Sequence, residues 1–211
     1  LMNTRDTLYV KDGNLWIGEL KATELAKRFG TPLYVMDARY IAEVADAFVR
    51  AVNKGGRGAV AFANKAFATV ATAKLAAAHG LWFDVVSGGE LYLVRQAGVD
   101  LKKVLFHGNN KTPREIEEGL EAGIGYFVVD SLNELEILDS AAKARGIKQK
   151  VLVRVNPGVS AHTYEAVVTA APFSKFGFDV RGDAADVVKD IVSREGLEFC
   201  GLHVHIGSQI Y

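Results

Sequence analysis

Gly58-Ala59-Val60-Ala61-Phe62-Ala63-Asn64-Lys65 is a run of small and apolar residues that stops abruptly at a lysine. A short apolar run of this kind predicts a strand buried on both faces, as in a parallel sheet. An ammonium at the end of such a strand is costly to desolvate, and desolvation lowers the pKa of an amine. Lys65 is therefore a candidate nucleophile toward an aldehyde. The plain alternative is that the lysine marks where the strand meets water, and this segment alone does not choose between the two.

Outward from this stretch the chain keeps a rhythm. Strands are predicted over 58–63, 81–86, 103–107, 125–129, 149–155 and 197–206, with a helical pattern between each pair. The first strand starts recur roughly every 22–25 residues, the length of a βα unit with short loops. Three helices open on capping-box spacing: Ser87-Gly88-Gly89-Glu90, Thr112-Pro113-Arg114-Glu115 and Ser131-Leu132-Asn133-Glu134. Gly80, Gly98, Gly123 and Gly146 sit where helices should stop. Strands alternating with helices predict an α/β fold with a parallel sheet, either doubly wound or a (β/α)8 barrel. No Gly-x-Gly-x-x-Gly follows the first strand, which counts against a dinucleotide-binding fold. A barrel needs eight units and about six are visible; an open parallel edge would invite aggregation, so the expectation is that the natural protein continues or that another chain completes the sheet.

The first 36 residues break the rhythm. Residues 8–10 and 15–17 read as strands around the turn signal Asp12-Gly13, and 23–29 as a short helix ended by Gly30. Thr31-Pro32-Leu33-Tyr34-Val35-Met36 reads as a strand with proline at its start. These pieces are expected to pack on something other than the main sheet. Asp37 then caps a helix whose apolar positions Ile41, Val44, Ala45 and Phe48 follow helical spacing.

Composition bounds the function. The 211 residues are 49% hydrophobic with 25 basic and 25 acidic side chains, the profile of an ordinary globular protein. A net charge of zero gives no reason to expect nucleic acid or an anionic membrane as the main partner. The longest apolar runs are strand-length, and the start shows no signal-peptide apolar region. Cys200 is alone, which excludes an intrachain disulfide. A cytoplasmic enzyme fits all of this.

In barrels the active site lies at the C-terminal strand ends, and those ends are chemically loaded here. They carry Lys65, then Asp84 to Gly89, His107-Gly108-Asn109-Asn110-Lys111, Asp130, Arg154 with Asn156-Pro157-Gly158, and His203-Val204-His205-Ile206-Gly207-Ser208. Ser87 and Asp130 read as helix caps. His203 and His205 alternate with Leu202, Val204 and Ile206 and so share a face. They suit one active-site histidine beside a structural one better than a metal pair, since no Cys or Glu lies at a telling spacing. Gly207-Ser208 can offer a backbone N–H and a hydroxyl to a phosphate. With a strand-end lysine this suggests a phosphorylated aldehyde, pyridoxal phosphate. The long segment 156–181, holding His162, Thr163, Tyr164 and Ser174-Lys175-Phe176-Gly177, has the length of a binding loop or lid.

Several of these stretches together carry a family resemblance. They are Phe62-Ala63-Asn64-Lys65-Ala66, Phe83-Asp84-Val85-Val86-Ser87-Gly88-Gly89-Glu90-Leu91, His107-Gly108-Asn109-Asn110-Lys111-Thr112, Arg154-Val155-Asn156-Pro157-Gly158, Ala161-His162-Thr163, Ser174-Lys175-Phe176-Gly177 and Gly201-Leu202-His203-Val204-His205-Ile206-Gly207-Ser208-Gln209-Ile210. In this order they resemble the pyridoxal-phosphate-dependent diaminopimelate decarboxylases, of the alanine-racemase-like barrel class that includes ornithine and arginine decarboxylases. The resemblance covers nearly the whole chain.

The resemblance implies a pyridoxal 5'-phosphate-binding (β/α)8 barrel of TIM type. Residues 37–211 would form about six of its units, and 1–36 would contribute to a second, C-terminal β-domain. It implies that Lys65 holds the cofactor covalently, that His205 stacks on the ring and that Ser208 binds the phosphate. Asp84 and Arg154 would line the cofactor site, Arg154 near the ring hydroxyl, with Ala63 against the ring and Gly207 beside Ser208. The implied activity is decarboxylation of meso-2,6-diaminopimelate to L-lysine and carbon dioxide by a homodimer. The family's later glycine-rich phosphate loop, its Glu-Pro-Gly segment and its C-terminal active-site cysteine are not found in these residues, and Cys200 is not the equivalent of that cysteine. The loop around Tyr164 also departs from the family pattern. The 211 residues alone are therefore expected not to turn over. Decarboxylation of another basic amino acid, a non-catalytic pyridoxal-phosphate barrel, a regulatory homologue and a purely structural barrel are the rival readings.

Overall fold

A computed structural model describes residues 7–56, 58–159 and 175–208 of the chain. The expectations placed on His162, Thr163, Tyr164, Ser174, Gln209 and Ile210 lie outside the described residues. The chain divides into two compact units, Leu1–Phe62 with Lys74–Trp82, and Ala63–Ala73 with Phe83–Tyr211.

The first unit opens with β1 (Leu8–Lys11), β2 (Asn14–Ile17) and β3 (Leu20–Lys21), an antiparallel sheet in chain order. The Asp12-Gly13 pair makes the turn as expected. Both residues have positive φ, 50° and 69°, the backbone of a hairpin turn that matches strand twist. Tyr9 and Trp16 are register partners and stack with ring centroids 6.1 Å apart. Helix α1 (Ala22–Phe29) follows and ends at Gly30. The strand expected over 31–36 is not formed. Leu33, Tyr34, Val35 and Met36 are all exposed, and no strand among the described residues pairs with them. β-propensity produces a strand only where a partner supplies hydrogen bonds. Helix α2 (Ala38–Gly55) begins as read: the Asp37 carboxylate accepts from the N–H groups of Arg39 and Tyr40 at 3.0 and 3.1 Å.

Strand β4 (Ala61–Ala63) leads from the first unit into the second, and Trp82 N–H donates to Val60 O at 2.8 Å. Helix α3 (Val70–Ala78) is followed by β5 (Trp82–Val85), α4 (Gly88–Gln96), β6 (Val104–Phe106), α5 (Pro113–Ala122), β7 (Tyr126–Val129) and α6 (Leu132–Ala144). Then come β8 (Gln149–Asn156), β9 (Phe178–Asp179), α7 (Ala184–Ser193) and β10 (Leu197–His203). Strands β5, β6, β7, β8 and β10 are parallel and neighbour one another in chain order, with the short β9 paired to β8 alone. A doubly wound sheet reverses its order at a switch point; this one does not, which is the winding of a (β/α) barrel.

The layers follow the pleat. Phe83 and Val85 of β5 are fully buried, while Trp82 and Asp84 between them are only half-buried. Phe83, Phe106, Phe127, Val151 and Val153 form the outer layer of the sheet, and Leu91, Ile116, Leu135, Leu138 and Ile191 of the helices are buried with them. Phe106 and Phe127 stack across neighbouring strands at 5.6 Å. Burying this apolar surface at about 25 cal/mol per Å2 is what holds the sheet. The face opposite these residues carries the polar side chains.

Candidate active site

The strand ends of the second unit, those of β7 and the short β9 excepted, deliver polar side chains to one cavity of about 590 Å3. β4 closes into a single 3-10 turn, Asn64–Ala66, that lifts Lys65 out of the sheet. β5 contributes Asp84, the turn after β6 contributes His107 and Asn109, β8 contributes Arg154, and β10 with its continuation contributes His203, His205 and Ser208. Leu202 and Val204 are exposed on the opposite side of that strand, so the alternation read in the sequence holds. Lys175 and Phe176 complete the described lining, and the Phe176 ring lies 4.3 Å from the Arg154 guanidinium.

Of the residues expected from sequence, Lys65, Asp84, Arg154, His205 and Ser208 all line this one cavity. Ala63 and Gly207 are neighbours of lining residues in the chain but do not line it themselves. Two readings need correction. Lys65 was expected to be desolvated at the end of a buried strand, yet it is exposed. The strand ends at Ala63, and the 3-10 turn places the amine in the open cavity, so burial is not what activates it. Asp130 was read as a helix cap. The cap of α6 is Ser131, whose hydroxyl accepts from Glu134 N–H at 3.2 Å. Asp130 instead accepts from Arg154 Nη1 at 3.1 Å and from Gly177 N–H at 2.6 Å.

The electrostatics follow from burial. Burial pushes Asp84 up to about 6, with cationic Lys65 restraining the rise and Glu90 adding to it. Its Oδ1 has no hydrogen-bond partner among the described residues, and His107 Nε2 is 3.5 Å away. Burial also pulls His107 down to about 2, reinforced by His203 and by the cations Lys111, Arg154 and Lys65. His203 falls to about 4, chiefly through burial and then Arg154. His205 is lowered as well, by burial and then by Lys65 and Arg154. The His107 and His203 rings meet edge to face at 4.4 Å. The cavity therefore presents neutral imidazoles together with the cations Lys65, Arg154 and Lys175, a setting for an anionic ligand with a flat ring.

Behind this wall lies a buried polar layer that the sequence reading passed over. Lys111 Nζ donates to Gly108 O at 2.6 Å and Val128 O at 2.8 Å and pairs with Glu134 at 2.9 Å. Glu134 in turn accepts from Asp130 N–H at 3.0 Å. Glu115 accepts from Gly88 N–H at 2.9 Å and ties the turn after β5 to the start of α5. Glu115 and Glu134 carried only the signal of capping-box glutamates and Lys111 only that of a strand-end residue, and neither pattern shows a buried partner.

Comparison with known proteins places the same features in context. Residues 41–211 match the model of the pyridoxal-dependent decarboxylase family, pyridoxal binding domain. A diaminopimelate decarboxylase of Halalkalibacterium halodurans is 46% identical over 201 residues, covering 94% of this chain and 46% of that protein. One from Methanocaldococcus jannaschii is 41% identical over 211 residues, 97% of this chain and 48% of that protein. The solved structure of diaminopimelate decarboxylase from M. jannaschii in complex with L-lysine superposes with a TM-score of 0.87 at 40% identity, covering 99% of this chain and 50% of the other. The chain spans about half the length of the curated relatives it matches.

Proposed function

The chain belongs to the pyridoxal-dependent decarboxylases, and we propose that it forms the cofactor-binding part of an enzyme converting meso-2,6-diaminopimelate to L-lysine and carbon dioxide. One observation carries the reading: Lys65, Asp84, Arg154, His205 and Ser208, drawn from separate strand ends, converge on a single cavity. The identity of 40–46% to proteins named diaminopimelate decarboxylase supports the choice of substrate.

The residues present fit pyridoxal 5'-phosphate. An aldehyde needs an amine, and Lys65 offers an accessible one. A phosphate and a ring oxygen need cations and hydroxyls, and Arg154 and Ser208 lie on the same wall. A flat ring needs a flat neutral neighbour, and His205 is held toward its neutral form. Asp84 lines the same cavity, and its buried Oδ1 has no hydrogen-bond partner among the described residues. When bound, the cofactor supplies an electron sink for the bond to the departing carboxylate.

The protein's part is positioning. Lys65 would hold the cofactor through its accessible amine. Asp84, raised to about 6 by burial, lines the cavity and would exchange a proton near neutral pH. His205 would pack against the ring, Ser208 would take the phosphate and Arg154 would lie near the ring hydroxyl, all three lining the one cavity. Gly207 and Ala63 are assigned backbone and packing roles at the phosphate and the ring. Residues 1–36 are assigned to a second β-domain, in keeping with the exposed Leu8, Val10, Leu15 and Leu20 of their sheet, and residues 37–211 to the barrel. A cytoplasmic homodimer completes the proposal, and light scattering of the purified protein checks the dimer. No described helix is long and apolar enough to cross a membrane.

The test is turnover. The full-length enzyme carrying this chain, loaded with pyridoxal phosphate, is offered meso-diaminopimelate, ornithine and arginine, and released carbon dioxide and amine products are measured; the 211 residues alone are expected not to turn over. Lysine from diaminopimelate, with little from the other two, is the expected result. Preference for ornithine or arginine would reassign the substrate within the class.

A further inference from the structure

Asp130 sits at the end of β7 with its side chain only 2% exposed. It does not cap the helix that follows, because Ser131 does. Its two oxygens are committed in two directions. Oδ2 accepts from Arg154 Nη1 at 3.1 Å, and Oδ1 accepts from Gly177 N–H at 2.6 Å. Gly177 has φ +70°, and a Cβ there would lie 2.7 Å from Arg154 O, so this segment approaches β8 as closely as only glycine allows. The residue before it, Phe176, lays its ring on the Arg154 guanidinium. Asp130 is itself fixed from behind, since its N–H donates to Glu134 and Glu134 pairs with Lys111.

A guanidinium on a flexible stem gains direction from a fixed carboxylate, and such charge-assisted bonds are stronger than neutral ones. We infer that Asp130 is a positioning residue for the pyridoxal phosphate site: one oxygen aims Arg154 and the other docks the Lys175–Gly177 segment against it. The inference rests on the assignment of Arg154 to the cofactor. It places a carboxylate that does not line the cavity in control of a cation that does.

A binding cycle tests it. Pyridoxal phosphate is titrated into the protein, Asp130→Asn, Arg154→Met and the double variant, with absorbance giving the dissociation constant. The visible circular dichroism of bound cofactor and the melting temperature are recorded alongside. Asp130→Asn is expected to weaken binding by about tenfold to a hundredfold and to alter the dichroism. The double variant should bind within about threefold of Arg154→Met alone, because Asp130 acts through that side chain. Binding unchanged in Asp130→Asn, or losses that multiply in the double variant, would overturn the inference. A merely structural aspartate would lower the melting temperature and leave the dichroism at saturation untouched. Unchanged binding in Arg154→Met would instead remove the cofactor role of Arg154. Should Asp130→Asn not fold, Asp130→Glu, which keeps the charge but displaces it by one methylene, goes through the same cycle with the same opposing outcomes.

Discussion

Burial moves the carboxylate and imidazoles of the cavity away from their ordinary titration ranges. Asp84 is raised to about 6 by burial, so protonation favours the folded state. That preference is full below the unfolded value of 3.8 and is lost as pH rises through 6. Asp84→Asn should therefore be more stable than the parent at pH 8, by about 1–3 kcal/mol, with the gain fading toward pH 4. Urea denaturation of cofactor-free protein at several pH values checks it, and a pH-independent difference would refute it. His107 has the opposite sign. Its value falls to about 2, so its contribution is present above the unfolded value of 6.5 and lost as pH falls below it. Between pH 7 and pH 5 the parent should lose about 2 kcal/mol more than His107→Gln. That Lys65, Asp84, Arg154, His205 and Ser208 share one cavity was legible because each falls in or just after a strand of the repeating pattern, while the roles expected of them came from the family resemblance. Asp130 and Glu134 were not, because a buried carboxylate and a helix cap look alike until their partners are known. The exposure of Lys65 was hidden too, since the 3-10 turn that lifts it has no signature beyond one apolar strand giving way to Asn64.

At the scale of elements, capping was read correctly in kind and only partly in detail. Thr112 and Glu115 form a reciprocal box, with Pro113 at the first helical position. Ser87 and Ser131 cap their helices, but Glu90 and Glu134 reach one residue further back, to Val86 N–H and Asp130 N–H. The glutamates thus fasten the strand end itself, which is where the site residues sit. Strand β10 stops at His203, three residues short of the expected end, since its last register partner on β8 is Arg154. Helix α5 shows why packing can override propensity. Gly119 is buried in its interior, and a Cβ there would meet Phe127 Cζ at 2.5 Å. Alanine normally gains about 1 kcal/mol over glycine inside a helix. Gly119→Ala should instead destabilise by about 1–3 kcal/mol through overpacking against β7, measured by urea unfolding. A more stable variant would show that α5 has room to shift.

Across the second unit, the parallel strands in unbroken chain order gather the site, because a singly wound sheet turns every strand end toward the same rim. The spacing of apolar runs was enough to see that order. It showed the local hairpin around Asp12-Gly13 but not that residues 31–36 lack a strand partner among the described residues, because an apolar run does not reveal whether a neighbour is there to pair with it. The account's central claim is that Lys65 is the amine that takes pyridoxal phosphate in the cavity it shares with His205 and Ser208. The direct measurement is to add the cofactor, reduce with borohydride and map the modified peptide by mass spectrometry. One phosphopyridoxyl group on Lys65, abolished by Lys65→Ala, is the expected result. Absence of label there, or a label on another lysine such as Lys111 or Lys175, would contradict it.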